Sequence, residues 1–288
     1  MTHIRSFLFV PGDSEKKMTK AQGSGADALI FDLEDSVAPA NKAAARAATA
    51  NVLQGDRPCQ FWVRINPLDS GLAEADLDAI LPARPDGIML PKANGPEDVA
   101  ALSAMLDASD PEGRIKILPV ATETAIAPFR LGDYAGAGLS RLWGLTWGAE
   151  DLSTALGAST NRDESGDWAF TYKMVRSLTL MAARAAGVEP VETLYADFRD
   201  DDGLRASSRA AQAEGFTARL AIHPAQVPGI NEGFMPSDAE ITHARNVVAA
   251  FAASPGAGTV GLDGKMLDIP HLRQAESVLD RAAAFDRG

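Results

Sequence analysis

Cysteine, histidine and long apolar runs are scarce in this sequence. Its 288 residues contain one cysteine, Cys59, and four histidines, which excludes an internal disulfide and a zinc site built from several cysteines. No apolar run approaches the ~20 residues of a membrane-spanning helix. The first residues, Met-Thr-His-Ile-Arg-Ser, do not resemble a signal peptide. We therefore expect a cytoplasmic protein that has no membrane partner.

Positive charge is also scarce. The chain has 27 Lys and Arg against 39 Asp and Glu, which gives a net charge of −12. Because nucleic acids and anionic membrane surfaces attract basic protein surfaces, this balance argues against either partner. A small anionic ligand remains compatible with the sequence where basic side chains cluster locally.

Short apolar runs alternate with helical segments along most of the chain. Eight such runs predict strands, and most precede a segment of helical periodicity. This alternation predicts a parallel sheet with crossover helices. Eight repeats favour a closed (β/α)8 TIM barrel, an α/β fold, over an open doubly wound sheet. The predicted strands are 6–10, 28–33, 61–65, 87–90, 115–120, 142–146, 191–195 and 220–222, and the predicted helices between them are 14–22, 41–53, 72–80, 96–106, 168–186 and 202–214.

The chain after the last predicted strand is too short for a further domain. A capping box, Ser237-Asp-Ala-Glu240, begins a helix that we extend to Ala252. A Gly/Ala/Pro-rich connector follows at 253–264, and a last amphipathic helix at 270–284. The connector spells a dinucleotide fingerprint, but it follows no predicted strand and begins no helix. We predict a barrel domain at 1–235 and a C-terminal helical arm or lid at 236–288.

Three acids, Asp32, Glu34 and Asp35, lie together at the end of the second predicted strand. Burying three unpaired carboxylates would cost several kcal/mol. We therefore expect a divalent metal ion or arginines opposite them. The alternative is that the strand ends at Leu33 and the acids are solvated.

Other polar residues follow the remaining strands, at the end of a barrel where active sites lie. Glu123 and Asp151 supply the carboxylate oxygens that suit Mg2+, and structural ion pairing is their alternative role. Lys92 could form a Schiff base, but we favour an ion pair with the acids. His223 is a candidate general base, but a hydrogen-bonded structural role is favoured. Cys59 precedes a strand at the opposite end, which favours packing over catalysis.

Read in order, eight short motifs resemble the citrate lyase β-subunit-like family, within the HpcH/HpaI aldolase group. That family includes malyl-CoA, β-methylmalyl-CoA and citramalyl-CoA lyases. The resemblance covers nearly the whole chain, and the ordered set is highly specific. The motifs are Arg5-Ser-Phe-Leu-Phe-Val-Pro-Gly12, Asp32-Leu-Glu-Asp-Ser-Val37, Val63-Arg-Ile-Asn-Pro67, Met89-Leu-Pro-Lys92, Glu123-Thr124, Gly148-Ala-Glu-Asp151, Ala221-Ile-His-Pro-Ala-Gln226 and Gly264-Lys-Met-Leu-Asp268.

The resemblance implies a reversible, Mg2+-dependent carbon–carbon lyase, with Mn2+ as an alternative metal. Its substrate would be a 3-hydroxyacyl-CoA, and its products a short acyl-CoA and glyoxylate or pyruvate. The assembly would be a homotrimer or a dimer of trimers. A malyl-CoA-type thioesterase and a non-catalytic citrate-lyase-like subunit remain alternatives.

The resemblance also implies roles for individual residues. The metal ligands would be Glu123 and Asp151. Asp268 would be an acid/base delivered from a neighbouring subunit's arm, and Arg64 would bind the keto-acid carboxylate. Glu34 and Asp35 would hold metal-bound water and order the site, and Ala149 and Glu150 would bind substrate. Phe9 and Lys20 would contact coenzyme A, and Lys16 or Lys17 would replace the arginine that some malyl-CoA lyases have at the position of Ser14.

Overall fold

Eight parallel strands dominate the structure, a computed structural model that describes residues 3–285. Each strand is short and mostly buried, as its apolar composition predicts. Their bounds are β1 (Ser6–Pro11), β2 (Ala28–Asp32), β3 (Gln60–Arg64), β4 (Gly87–Leu90), β5 (Lys116–Pro119), β6 (Gly144–Thr146), β7 (Glu189–Glu192) and β8 (Ala218–Ala221).

Helices separate most of these strands along the chain. The longest of these, α7 (Phe170–Ala186), is followed by Gly187, whose left-handed φ of 70° suits glycine. No helix among residues 3–285 is both long and apolar enough to cross a membrane. The helices up to β8 and just after it are α1 (Glu15–Ala21), α2 (Lys42–Leu53), α3 (Ala73–Ile80), α4 (Pro96–Leu106), α5 (Ala127–Arg130), α6 (Ala149–Leu156), α7 (Phe170–Ala186), α8 (Asp201–Glu214) and α9 (Gln226–Gly233).

The strands close into the predicted barrel. The ladder runs β5-β4-β3-β2-β1-β8-β7-β6. Two isolated parallel bridges, Ile117 with Leu142 and Val120 with Thr146, join β5 to β6. The (β/α)8 prediction is therefore confirmed, and the open doubly wound alternative is wrong.

Three aromatic rings fill the barrel interior. The ring of Phe7 lies 5.4 Å from that of Trp62 and 5.3 Å from that of Trp143, both edge to face. The two indoles are 5.6 Å apart. Gly87 makes room for them, because a Cβ there would lie 2.3 Å from Trp62 ring carbons.

Residues 232–285, with residue 3, belong to a second compact unit, separate from the barrel unit of residues 4–231. The predicted capping box is present: Ser237 Oγ accepts from the Glu240 N–H, and the Glu240 carboxylate accepts from the Ser237 N–H. The unit contains α10 (Asp238–Ala252), an antiparallel hairpin of β9 (Thr259–Leu262) and β10 (Lys265–Asp268), and α11 (Ile269–Phe285).

The structure corrects several predicted elements. The connector at 253–264 is not structureless, because β9 lies within it. The seventh strand is Glu189–Glu192 rather than 191–195. Three helices, α5, α6 and α9, were not predicted. α9 contains Pro228 and Gly229, which suppress helical signals, and α6 is only eight residues long.

The packing of Gly87 against Trp62 gives a test of the barrel core. Gly87→Ala should lower the free energy of unfolding by about 1–3 kcal/mol, because the added methyl group must displace the indole. Gly132→Ala is the matched control, since nothing lies within 4 Å of its Cβ position. Urea unfolding of both variants would measure the difference, and equal stabilities would contradict this account of the core.

Candidate active site

A cavity of about 350 Å³ opens at the C-terminal ends of the barrel strands. Its lining residues follow β1, β2, β3, β5, β6, β7 and β8, so the sheet topology brings together positions far apart in sequence. Most of the predicted site residues line it. These are Phe9, Asp35, Arg64, Glu123, Ala149, Glu150 and Asp151, with Asp32, Trp147 and Trp168 beside them.

Asp32 and Arg64 form the centre of the site. They end β2 and β3 and are register partners in the sheet. Arg64 Nε donates to Asp32 Oδ1 at 2.7 Å, and Arg64 Nη2 donates to Asp32 Oδ2 at 2.7 Å. Burial raises the pKa of Asp32, but the hydrogen bonds and charge of Arg64 outweigh burial and hold that pKa below its usual range. The expectation of an arginine opposite the acids is confirmed.

Glu34 is almost fully buried beside this pair. Its Oε2 lies 2.9 Å from Arg64 Nη1, and its Oε1 contacts Lys92 Nζ. Burial raises the pKa of Glu34, while Arg64 and Lys92 oppose that rise. Lys42 fixes the loop, because its Nζ donates to the backbone oxygens of Leu33 and Glu34 at 2.6 and 2.7 Å.

Lys92 lies among the acids. Besides Glu34, its Nζ is 3.6 Å from Asp35 and 3.7 Å from Asp151. Burial lowers the pKa of Lys92, but the hydrogen bond and charge of Glu34, with Asp151 and Glu123, outweigh burial and raise it. The ammonium form is therefore favoured, which supports the ion-pair role over a Schiff base.

The backbone of Lys92 is also unusual. Its φ of 52° is left-handed, which a residue with a Cβ rarely adopts. In this conformation its N–H donates to Glu123 Oε2 at 2.7 Å. A strained backbone at the barrel mouth therefore holds one oxygen of a predicted metal ligand.

Glu123 is buried in the loop after β5. Burial is the main cause that raises its pKa to about 8, and the charges of Asp151 and Glu34 add to the effect. Gly148 packs directly on it: a Cβ at position 148 would lie 2.9 Å from Glu123 Cγ and 3.0 Å from Oε1. The glycine at position 148 therefore leaves the space that this carboxylate occupies.

Asp151 lies in the first turn of α6, which begins after Gly148. Ala149 and Glu150 precede it, so the predicted substrate-binding positions form the helix N-terminus on the cavity wall. Backbone N–H groups at such a terminus lack intrahelical partners and favour anionic groups.

The donor set fits a magnesium ion that completes its coordination with water and substrate. No three His, Cys, Asp or Glu side chains within residues 3–285 form a metal cage. Glu123 and Asp151 nevertheless face one cavity, and the charge of Asp151 adds to the rise in the pKa of Glu123. Mg2+ is commonly held by one or two carboxylates. A divalent cation between them would offset the charge repulsion that raises the pKa of Glu123.

Phe9, Lys16, Lys20 and His223 are the other candidate residues of the barrel unit. Phe9 packs with its ring 4.9 Å from Arg64 Cζ, and Lys16 and Lys20 are exposed on α1. His223 stacks on Phe198 and accepts from the Ala225 N–H at 3.2 Å, which supports its structural role.

Asp268 ends β10 in the second unit and is half-exposed. Its Oδ1 lies 2.5 Å from His271 Nδ1. Its delivery to a neighbouring subunit's site stays a prediction.

Several residues of the site were not predicted. Trp147 and Trp168 pack with ring centroids 5.1 Å apart on the cavity wall. Trp147 comes directly after β6, and this position alone could have predicted that it lies at the mouth of the barrel. No local sequence pattern predicts the contact of Gly148 with Glu123 or of Lys42 with the backbone of Leu33, because both depend on the folded structure.

Comparison with known proteins connects this geometry to a family. The profile described as HpcH/HpaI aldolase/citrate lyase matches residues 5–224. A mitochondrial citramalyl-CoA lyase from Rattus norvegicus is 34% identical over an alignment of 301 positions. This alignment covers 98% of this chain and 86% of that protein. A (3S)-malyl-CoA thioesterase from Cereibacter sphaeroides is 36% identical over 286 residues, which cover 98% of this chain and 95% of that protein.

A solved structure shares the fold. The protein CitE from Mycobacterium tuberculosis, crystallised with magnesium, acetoacetate and coenzyme A, superimposes with a TM-score of 0.81. It is 34% identical in sequence, and the alignment covers 98% of each chain.

The contacts of Lys92 predict a pH-dependent loss of stability. Lys92→Met should lower the free energy of unfolding by about 2–3 kcal/mol at pH 8, because it leaves Glu34 buried without one cation. We set the figure below that of a fully buried pair, since 32% of the Lys92 side chain is exposed. In the variant the pKa of Glu34 rises further, because Lys92 no longer opposes the effect of burial. The variant should therefore keep its stability at low pH, where Glu34 is protonated, and lose it as the pH rises through that pKa.

The measurement is urea unfolding at pH 5 and pH 8. Lys92→Arg is the matched control, because it keeps the positive charge. An equal loss at both pH values in Lys92→Met would contradict the assigned role of Glu34.

Proposed function

The chain belongs to the HpcH/HpaI aldolase/citrate lyase family, and we propose that it is a Mg2+-dependent lyase that cleaves a 3-hydroxyacyl-CoA reversibly. Malyl-CoA, methylmalyl-CoA and citramalyl-CoA are the candidate substrates. The products would be a short acyl-CoA and glyoxylate or pyruvate. The main support is the convergence of Glu123, Asp151 and Arg64 on one cavity at the barrel mouth.

Glu123 and Asp151 would hold the magnesium ion. When bound, the ion supplies a Lewis acid that stabilises negative charge on substrate oxygens. Gly148 leaves room for the Glu123 carboxylate, and the Lys92 N–H orients it. In this proposal Glu34 and Asp35 act through Lys92, which they hold beside Asp151.

Arg64 would bind the carboxylate that becomes part of the keto acid. Its Nε and one N–H of Nη2 are already committed to Asp32. The substrate would therefore bind through the second N–H of Nη2 and through Nη1, which Glu34 Oε2 also contacts at 2.9 Å. Asp32 fixes the plane of the guanidinium and so preorganises the contact.

The bond cleavage follows from these positions. The 3-hydroxyl group gives its proton to solvent and its oxygen becomes the carbonyl oxygen of the keto acid, while the C2–C3 bond breaks and leaves its electrons on the acyl-CoA as an enolate. Asp268 would protonate the enolate carbon. The indoles of Trp147 and Trp168 cover the cavity wall and limit the access of water.

The proposal includes the assembly. A homotrimer, or a dimer of trimers, would bring Asp268 from the C-terminal arm, residues 236–288, of one subunit to the barrel of another. Phe9, Lys16 and Lys20 would contact coenzyme A, and the exposed lysines are available to its phosphates. Ala149 and Glu150 would present the N–H groups of α6 to the substrate.

A thioesterase is the second candidate, because a (3S)-malyl-CoA thioesterase is 36% identical over nearly the whole chain. That reaction would use the same metal and carboxylate contacts, but water would attack the thioester and free coenzyme A would leave.

One assay separates these activities. The protein is incubated with malyl-CoA or citramalyl-CoA, with Mg2+ or with EDTA, while keto acid and free thiol are followed together. We expect keto acid without thiol, lost in EDTA. Thiol release would indicate the thioesterase instead. The absence of both products, with Mg2+ present, would contradict catalysis on these substrates and favour the non-catalytic subunit.

The metal assignment has its own test. Glu123→Gln and Asp151→Asn should each weaken Mg2+ binding at least about tenfold, because each removes one of two charged ligands. Titration calorimetry without substrate measures this directly. Asp13→Asn is the control, since Asp13 is exposed and not on the cavity wall. Unchanged Mg2+ affinity in both ligand variants would remove these residues from the metal site.

A further inference from the structure

A second cavity, of about 700 Å³, lies between the barrel and its outer helices. It is lined by residues of β7, β8, α7 and α8. Trp168, Thr193 and Leu194 line both cavities, so the second lies directly behind a wall of the catalytic one. Its basic lining residues are Arg162, Lys173, Arg176 and Arg219.

Arg219 is the most buried of these cations. It is only 3% exposed, because it lies on β8 and faces outward from the barrel interior toward α8. Its Nη2 donates to Ser207 Oγ at 2.9 Å. Its Nε is buried and has no hydrogen-bond partner within residues 3–285. A buried donor with no partner is destabilising, because it has lost its hydrogen bonds to water and gained none within the protein.

The carboxylate nearest to Arg219 is already engaged. Glu192 lies 3.9 Å away across the β7–β8 ladder. Its Oε1 accepts from Trp147 Nε1 at 2.7 Å, and its Oε2 accepts from Arg176 Nε at 2.6 Å. Glu192 therefore neutralises Arg176 first and Arg219 only at a distance. Burial and the neighbouring Arg176 lower the pKa of Arg219 despite Glu192.

The other acids on the wall are also paired. Asp167 lies 2.8 Å from Lys173 Nζ, and Glu214 lies 2.5 Å from Arg176 Nη1. Arg162 lies over the Trp168 ring, with its Cζ 3.4 Å from the ring centroid. Over the whole lining, four basic residues face three acidic ones, Asp167, Glu192 and Glu214, so positive charge is in excess by one.

We propose that this cavity binds an oxyanion, a phosphate or carboxylate group, against Arg219 and Ser207. An oxyanion would accept from the Arg219 guanidinium and from the Ser207 hydroxyl group, and it would neutralise the excess charge. Lys173 and Arg162 would guide it from solvent. The site is distinct from the catalytic cavity, and the proposal does not depend on the lyase activity.

Inorganic phosphate and acetate are the probes, each titrated into the full-length protein without Mg2+ and followed by calorimetry and by Tm. We expect binding in the millimolar range together with a rise in Tm. Binding of phosphate alone identifies a phosphoryl group as the ligand, and binding of acetate alone a carboxylate. Failure of both anions to bind would overturn the proposal.

Ser207→Asp tests the location. The new carboxylate would lie beside Arg219 and occupy the place of the anion, so this variant should have a higher Tm in anion-free buffer and at least about tenfold weaker phosphate binding. Ser207→Asn is the control for shape, because it removes the hydroxyl group without adding a charge; it should show no rise in Tm and a smaller loss of phosphate binding than Ser207→Asp. Unchanged phosphate binding in Ser207→Asp would overturn the assignment.

A further pair of variants excludes other phosphate sites. Lys16→Met combined with Lys20→Met removes the exposed lysines proposed to contact coenzyme A, and phosphate binding should persist. Arg184→Met, on α7 outside the cavity, should also retain it. Loss of phosphate binding in the lysine variant would place the anion on α1 and contradict the proposal.

Discussion

The burial of carboxylates at the mouth of the barrel is the constraint on which the site depends. Asp32, Glu34 and Glu123 are each nearly excluded from solvent, where an unpaired charge would be strongly destabilising. Two cations, Arg64 and Lys92, compensate them from adjacent strand ends. The same ion pairs fix the loops after β2, β3 and β4. The pairing that neutralises the buried carboxylates therefore also sets the geometry of the cavity.

Much of the fold was predictable, because apolar runs and helix signals alternate eight times. The bounds of β4 and α4 were predicted to the residue, since Gly87 and Pro96 mark their starts. The seventh strand was predicted too late in the chain. Thr193 and Leu194 have strong strand propensity but form the cavity wall, whereas Glu189 and Pro190 do not read as strand residues although they begin β7.

Part of the lining of the cavity was predictable, but the contacts within it were not. A residue at a strand end can be placed at the barrel mouth from topology alone, which located Glu123, Asp151 and Arg64. The left-handed backbone of Lys92 is not encoded by any local signal, since only its contact with Glu123 explains it. The hairpin before Asp268 did have a signal, because Asp263-Gly264 is a favoured two-residue turn between strands.

The seam between β5 and β6 has a consequence for how the barrel and the site depend on each other. β1 and β2 share five consecutive register pairs, whereas β5 and β6 meet only through isolated bridges. Glu123 follows one strand of this seam, and Asp151 follows the other. A cation bound by both Glu123 and Asp151 would link β5 to β6, the two strands with the least continuous hydrogen-bonded ladder. Its binding free energy would therefore also oppose the separation of these strands.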